Sequence, residues 1–359
     1  MELQTLETPL AGTHRRNDAD MGVWFGCDLP NSFGDWQLDY RAVRETVALL
    51  DKNYRSYFRF TGPDRGRYLN AILTNDIRGL AENHANLSLF LNPQGHIQAE
   101  IETHARKDEL FCVSYAMIRE RLLPELDKYI IMDDVTLTDL SLECATLALE
   151  GPQAADAVAQ LTGAQLSEFA ELESREISVR GVPCGLIRRT PGKHPSGEFL
   201  VAREQAAEVW KALSDAVHSL GGKPAGYKAL NTIRLEQGNP WFGYDFGEKQ
   251  IPHEAGLENS HISFTKGCYT GQEIVERVRS RGQVNRVRVS LRFETAEPPA
   301  PNSPITREEK EVGYVTRTGF SPTLNASIGM GYVRREQSAP GTPLHCANAK
   351  ATVLTTPLA

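Results

Sequence analysis

What is scarce in this sequence narrows its chemistry first. Six cysteines occur in 359 residues: Cys27, Cys112, Cys144, Cys184, Cys268 and Cys346. They are widely scattered. No C-x-x-C pair and no Cys/His pair at zinc spacing occurs, which argues against a metal site made of sequence-local ligands. A chain of this length buries a large core without disulfides, so dispersed thiols fit a reducing compartment. Apolar runs are short, and none approaches the ~18 residues of a membrane-spanning helix. The N-terminal Met-Glu-Leu-Gln-Thr-Leu-Glu lacks the regions of a signal peptide and the Arg-rich bias of a mitochondrial presequence, so the cytoplasm is the expected location. No internal repeat or low-complexity tract interrupts the chain. Positive charge is in deficit: 39 Lys and Arg stand against 46 Asp and Glu, a formal net charge of -7. That balance argues against charge-driven nucleic-acid binding by the whole surface.

What is present reads as an ordinary globular chain, 40% hydrophobic and 24% charged, with length for two or three domains. Residues 1–37 read as a loose lead-in. A helix is predicted from near Tyr40, with Val43, Val47 and Leu50 on one face. Strands are predicted at 56–62, 87–91, 97–103 and 110–115, with a helix around Tyr68, Leu69 and Ile72, a turn at 92–95 and a helix over 119–129. A strand at 146–150, a helix at 153–161, three short strands within 175–201 and helices at 206–220 and 228–236 follow. Val287, Val289, Leu291 and Phe293 alternate with Arg286, Arg288, Ser290 and Arg292, the pattern of a half-buried strand. After the proline-rich stretch 298–304 come strand runs at 312–316, 328–333 and 351–354, which read as a small all-β C-terminal barrel or sandwich. The fold class is α+β.

The densest chemistry lies in Lys266-Gly-Cys-Tyr-Thr-Gly-Gln-Glu273. Cys268 reads either as a small buried hydrophobe or as a thiolate acting as nucleophile, redox group or transient cluster ligand. Lys266 and a helix N-terminus starting near Thr270 would both favour the thiolate. Lys266, Gln272 and Glu273 read as helix-start residues or as groups shaping a polar pocket around that thiol. Gly267 and Gly271 permit tight turns beside it. Arg277, Arg279, Arg281, Arg286 and Arg288 form a local basic cluster, either a solvated face or a dock for an acidic partner, polyglutamate or RNA. Asn75 and Asp76 close a turn or line a pocket. Trp241, Phe242, Tyr244 and Phe246 read as core packing or as a stacking surface.

This octapeptide resembles the signature of the YgfZ branch of the YgfZ/GcvT superfamily. The resemblance extends through Leu69-Asn-Ala-Ile-Leu-Thr-Asn-Asp76, Leu89-Phe-Leu-Asn-Pro-Gln-Gly95, Leu147-Ala-Leu-Glu-Gly-Pro152, Arg234-Leu-Glu-Gln-Gly-Asn-Pro-Trp-Phe-Gly243, Pro252-His-Glu-Ala-Gly-Leu257 and Val312-Gly-Tyr-Val-Thr-Arg-Thr-Gly-Phe-Ser-Pro322. It implies a three-lobed ring with antiparallel α/β lobes around a folate cavity. Residues 1–285 would form a folate-binding region of two interleaved lobes, the second roughly 55–130, and 286–359 the C-terminal β-barrel. It further implies tetrahydrofolate, or another reduced folate, as cofactor. Asn75, Glu100, Tyr115, Arg234, Glu236 and Tyr269 would line its site, with Cys268, Lys266, Gln272 and Glu273 at the reactive centre. No resident metal is implied beyond Cys268 as a transient cluster ligand.

The chain departs from the aminomethyltransferase members at three places. Ala99-Glu100 stands where they carry an Asp-Asp pair, Tyr115 where they place a pterin-binding Asn, and the loop 190–197 lacks their pterin-binding Glu. These departures argue against glycine-cleavage chemistry. The function implied is therefore a tetrahydrofolate-binding protein supporting assembly or repair of iron–sulfur enzymes, including radical enzymes that modify tRNA. Its partners would be iron–sulfur client or assembly proteins, with no membrane and no direct nucleic-acid contact. Two other readings stand beside it. One is a folate-dependent aminomethyltransferase or demethylase using Glu100 as its carboxylate; the other is a cofactor-free scaffold.

Overall fold

A computed structural model of the chain describes residues 5–358, without the side chain of residue 281; residues 1–4 of the lead-in and the arginine side chain counted last in the helical part of the basic cluster fall outside that description. The chain divides into two compact units, one of residues 1–70, 76–88 and 101–229, the other of residues 71–75, 89–100 and 230–359.

The first unit centres on a six-stranded sheet in the order 174–179, 182–189, 196–202, 144–150, 48–51 and 223–224. Helix Ala206–Ser219 buries Ala206, Val209, Trp210, Leu213, Ala216 and Val217, one face at 3.6-residue spacing. That face packs on Leu147, Leu149 and Phe199 of the sheet, together with Ala154, Ala157 and Val158 of helix Ala154–Thr162. A three-stranded sheet of 6–7, 27–32 and 20–24, with helix Ala11–Arg16, occupies the region read as a loose lead-in. That expectation is corrected. So is the helical reading through Leu50: helix Trp36–Glu45 ends at Thr46, and Ala48–Asp51 is a fully buried strand. A short apolar run fits both periods, and burial decides it.

A five-stranded sheet has the order 85–91, 97–105, 110–115, 55–61 and 136–139. Its strands lie at or within a few residues of the predicted bounds; 136–139 was not anticipated. The turn end of its first hairpin, residues 89–100, belongs to the second unit.

The second unit contains a closed barrel of six strands in the order 286–293, 326–334, 310–321, 304–307, 343–346 and 349–354. Val289, Leu291 and Phe293 point inward and meet Ile305, Val315, Val333, Leu344 and Val353, as the alternation predicts. The chain is thus a mixed α/β fold closed by an all-β barrel. Helix Tyr227–Gln237 lays Leu235 against Ile328 and Met330. Asn231 Nδ2 donates to Thr318 O at 3.0 Å. Among the described residues, no helix is long and apolar enough to cross a membrane.

Candidate functional site

The site is anchored by Thr74, a residue of the Leu69–Asp76 motif that carries no local signal of its role. Helix Arg65–Ile72 ends just before it, and Leu73 bridges Phe90. Thr74 is fully buried. Its hydroxyl donates to His261 O at 2.6 Å and accepts from Leu89 N at 2.8 Å. Its backbone N–H donates to Leu89 O, and its carbonyl accepts from Ser263 N. One side chain thus fixes the strand leading into the 92–95 turn against segment 257–263.

That fixation sets Glu100 against His261. Successive strand side chains face opposite ways: Ala99 is fully buried, and Glu100 turns to the other side, half-buried. His261 Nε2 lies 2.9 Å from Glu100 Oε1, and Nδ1 lies 2.7 Å from Ser260 Oγ. In the neutral ring, Nε2–H donates to the carboxylate and Nδ1 accepts the Ser260 hydroxyl proton. The imidazole is 4% exposed, so this orientation is enforced by packing as well as by its two partners.

Lys266 lies on the same loop system. Its Nζ donates to Leu73 O at 2.5 Å and Asn75 O at 3.0 Å, and sits 5.2 Å from the centre of the Tyr269 ring. The ammonium ties down the 73–75 loop through carbonyls. Cys268 is exposed, which removes the small-buried-hydrophobe alternative. Helix Gln272–Arg281 starts at Gln272 rather than near Thr270, with Gly271 as its N-cap at φ +82°. A Cβ on Gly271 would lie 2.6 Å from Asn92 O, and one on Gly95 (φ +77°) 2.9 Å from Ile274 Cβ. These two glycines let the 92–95 turn and the signature helix approach each other. Tyr269 is 6% exposed, its hydroxyl has no hydrogen-bond partner among the described residues, and burial pushes the phenol up. Gln272 is half-buried at the helix start, and exposed Glu273 pairs with Arg277 at 2.7 Å.

The other expected site residues sit elsewhere. Arg234 is 4% exposed; Nε and Nη2 donate to Asn231 Oδ1 at 3.2 and 2.8 Å, Nη1 is ion-paired with Asp245, and the guanidinium lies 4.6 Å over the Trp241 ring. Glu236 is fully buried and accepts from Ser321 Oγ at 2.5 Å. Neither is on a solvated face. Tyr115 belongs to the first unit, in an aromatic cluster with Tyr54 at 5.7 Å and Phe25 at 5.6 Å, which stack on each other at 4.3 Å. Asp76 closes a turn by accepting from Arg78 N and Gly79 N. The basic cluster is largely consumed internally: Arg279 pairs with Glu276 and covers Phe264, and Arg288 donates to Ala255 O and Gly238 O.

The first unit also holds a buried ion network that the sequence did not announce. Arg55 grips Glu198 at 2.7 and 2.9 Å; Arg189 bridges Glu198 and Glu102 at 2.5 Å, and His104 Nε2 lies 2.5 Å from Glu102 Oε1. Burial opposes ionisation of Glu198, but Arg189 and Arg55 outweigh it and hold the carboxyl down at about 2. Glu198 directly follows the acid-free loop 190–197. The available signal was charge inside apolar strand runs, where Glu is disfavoured. Among the described residues, no group of three or more His, Cys, Asp or Glu is placed to hold a metal ion.

Comparison with known proteins bears on these features. Residues 10–266 match the GCVT N-terminal domain, and residues 286–358 match the glycine cleavage T-protein C-terminal barrel domain. An aminomethyltransferase of Koribacter versatilis is 30% identical over 349 residues, covering 94% of this chain and 91% of that protein. One from Streptomyces coelicolor is 30% identical over 342 residues, 93% and 91% of the two chains. The crystal structure of glycine cleavage system aminomethyltransferase T from Bartonella henselae superposes with a TM-score of 0.89 at 21% identity, over 99% of this chain and 98% of that one. These relatives overturn the expectation of an iron–sulfur assembly factor with tRNA-modifying clients, and with it the argument against glycine-cleavage aminomethyl transfer. That argument weighed three local departures above similarity spread along nearly the whole chain, and Ala99 still has a carboxylate beside it. The chain belongs to the family built from the GCVT N-terminal domain and the glycine cleavage T-protein C-terminal barrel domain.

Proposed function

We propose that this protein is a folate-dependent aminomethyltransferase, moving a one-carbon unit from an aminomethyl donor to an amine nitrogen of tetrahydrofolate. The observation that carries the proposal is the Glu100 carboxylate held at 2.9 Å by the buried His261 imidazole. As the new carbon–nitrogen bonds form, the carbon's bonds to its former amine and carrier break; the protons shed by the attacking amines pass through a positioned carboxylate to these departing groups, and the amine leaves as ammonia. The donor set fits a reduced folate in this respect: an acceptor oxygen half-buried on a strand, oriented by a ring that Ser260 and Thr74 lock in turn. Tetrahydrofolate, when bound, supplies the nucleophilic amine and carries the carbon away.

In this reading Glu100 performs the task for which the family's Asp-Asp pair is suited, with one more methylene of reach and without help from Ala99. Lys266 clamps the 73–75 loop. Residues 1–285 form the folate-binding region, and the barrel follows. The likeness of Lys266–Glu273 to the YgfZ branch is a finer assignment within the family. It rests on the signature segment, whereas relatives named aminomethyltransferase cover more than nine-tenths of the chain.

The test is single-turnover formation of methylene-tetrahydrofolate by purified protein, with wild type and Glu100→Gln side by side. Reduced-folate binding is followed separately by fluorescence titration. Product from wild type and its loss in the variant, with folate binding retained, supports the proposal. Folate binding without product from wild type sinks it.

A further inference from the structure

Three arginines of the second unit line one groove without partners of their own among the described residues. Arg277, Arg279, Arg234 and Arg288 all have carboxylate or carbonyl partners. Arg286, Arg334 and Arg335 are exposed, and among the described residues none of their guanidinia has an ion-pair or hydrogen-bond partner. They are nevertheless held together. Arg286 opens barrel strand 286–293 and lies directly opposite Arg334 in the antiparallel register. Arg335 N donates to Asn285 O at 3.0 Å, pinning the next arginine beside the same strand. The three line one open groove of about 880 Å³ with Gln283, Asn285, Glu254 and Glu336.

Like charges directly opposed on a sheet are destabilising. A pair kept in that register, with a third arginine alongside, outnumbers the two glutamates on the same walls and leaves the groove net positive, an arrangement suited to an external anion. Glu254 pairs with none of the three: its carboxylate accepts from Ile251 N at 3.2 Å as a helix cap. We propose that this groove at the barrel rim binds a small phosphate-bearing molecule, away from the Glu100–His261 pair in the residues it uses. Guanidinium forks match phosphate oxygens by several charge-assisted hydrogen bonds. Three guanidinia converging on one groove, none of them ion-paired among the described residues, suit a compact group that offers several anionic oxygens. Glu254 and Glu336 on the same walls select against a long polyanion such as nucleic acid, through like-charge repulsion. The volume lies within the range of small-molecule sites.

The experiment uses the full chain and pyrophosphate as probe, with inorganic phosphate and citrate at matched ionic strength. Thermal shift and calorimetric titration are read on wild type, on Arg335→Gln and on the double variant Arg286→Gln/Arg334→Gln. Pyrophosphate is expected to raise the melting temperature of wild type saturably. Arg335→Gln weakens its binding by about tenfold, the loss of one charged hydrogen-bonding group. The double variant loses the response yet is at least as thermostable as wild type without ligand, because the opposed charges are gone. A purely structural role would lower that stability instead. No saturable response in wild type, an undiminished response in the double variant, or tighter binding of citrate than of pyrophosphate overturns the proposal.

Discussion

Glu100 Oε1 and His261 Nε2 meet at 2.9 Å although 161 residues separate them in the chain. His261 carries Ser260 on its other nitrogen, so the carboxylate is oriented by a relay whose outer end is exposed and whose middle is buried. Replacing Glu100 by Gln keeps the size and the capacity to accept from Nε2–H, but removes the base. The expected loss in one-carbon transfer is about 10²- to 10⁴-fold, with little change in the urea midpoint. His261→Gln should give a smaller loss, because it alters the orientation of the carboxylate and leaves its charge. Equal activity of Glu100→Gln and wild type would remove Glu100 from the reaction.

Thr74 tests whether that relay depends on its scaffold. Thr74→Val keeps the shape and deletes a hydroxyl that serves His261 O and Leu89 N together. Two buried backbone groups lose a partner, at about 1–3 kcal/mol for a group left unsatisfied. Urea unfolding reads the cost. If the relay is held through this residue, transfer activity falls in the folded variant as well.

How much of this was visible in the chain follows from which signals are local. The strand 286–293 is legible because Val289, Leu291 and Phe293 alternate with more polar neighbours, and its inward face is the barrel core. The 92–95 turn is legible because Asn, Pro and Gly have turn chemistry. The sheet of 20–24 and 27–32 is not, because its residues are short runs of mixed polarity, stabilised by pairing with each other. Val47 and Leu50 mislead because a fully buried strand has no alternation to display. At the site, Glu100 stands out through its position after the turn. Ser260 and His261 become partners only when Thr74 draws segment 257–263 onto the hairpin, a long-range event that no local spacing encodes. The unit-1 acids are hidden for the same reason: Glu102 and Glu198 acquire meaning through Arg189 and Arg55, which come from other strands.

The signature loop yields a chemical prediction that separates exposure from function. Cys268 is exposed, Cys144 is half-buried, and Cys27, Cys112, Cys184 and Cys346 are buried. Burial pushes the Cys27 and Cys112 thiols up to about 12 and those of Cys144, Cys184 and Cys346 up to about 11. A disulfide reagent should therefore titrate one thiol rapidly in the native protein, and Cys268→Ala should abolish that phase without altering stability. Gly271→Ala should behave oppositely. It leaves the thiol in place but forces a Cβ to 2.6 Å from Asn92 O at φ +82°, a strained position that costs about 1 kcal/mol or more before the clash is relieved.

The buried network of the first unit fixes an acid limb of stability. Burial raises the pKa of Glu198, but Arg189 and Arg55 lower it further, to a folded value of about 2; Glu102 is likewise held well below the carboxylate range by Arg189 and His104 against its burial. A folded pKa below the unfolded one contributes stability that is fully present above the unfolded value, about 4.3 for Glu. That contribution is lost as pH falls from there through the folded value. For Glu198 the linked free energy at neutral pH is roughly 3 kcal/mol. Glu198→Gln leaves Arg55 beside a neutral amide and Arg189 with Glu102 alone, and removing one member of a buried ion pair costs about 3–5 kcal/mol. The variant should be markedly less stable than wild type in urea at pH 7. The gap should narrow steadily between pH 4 and pH 2, because the unfolded wild-type chain takes up a proton on this carboxyl there while the folded one resists it, and the variant has no such group. A gap that stays constant over that range would mean the arginines do not hold Glu198 ionised.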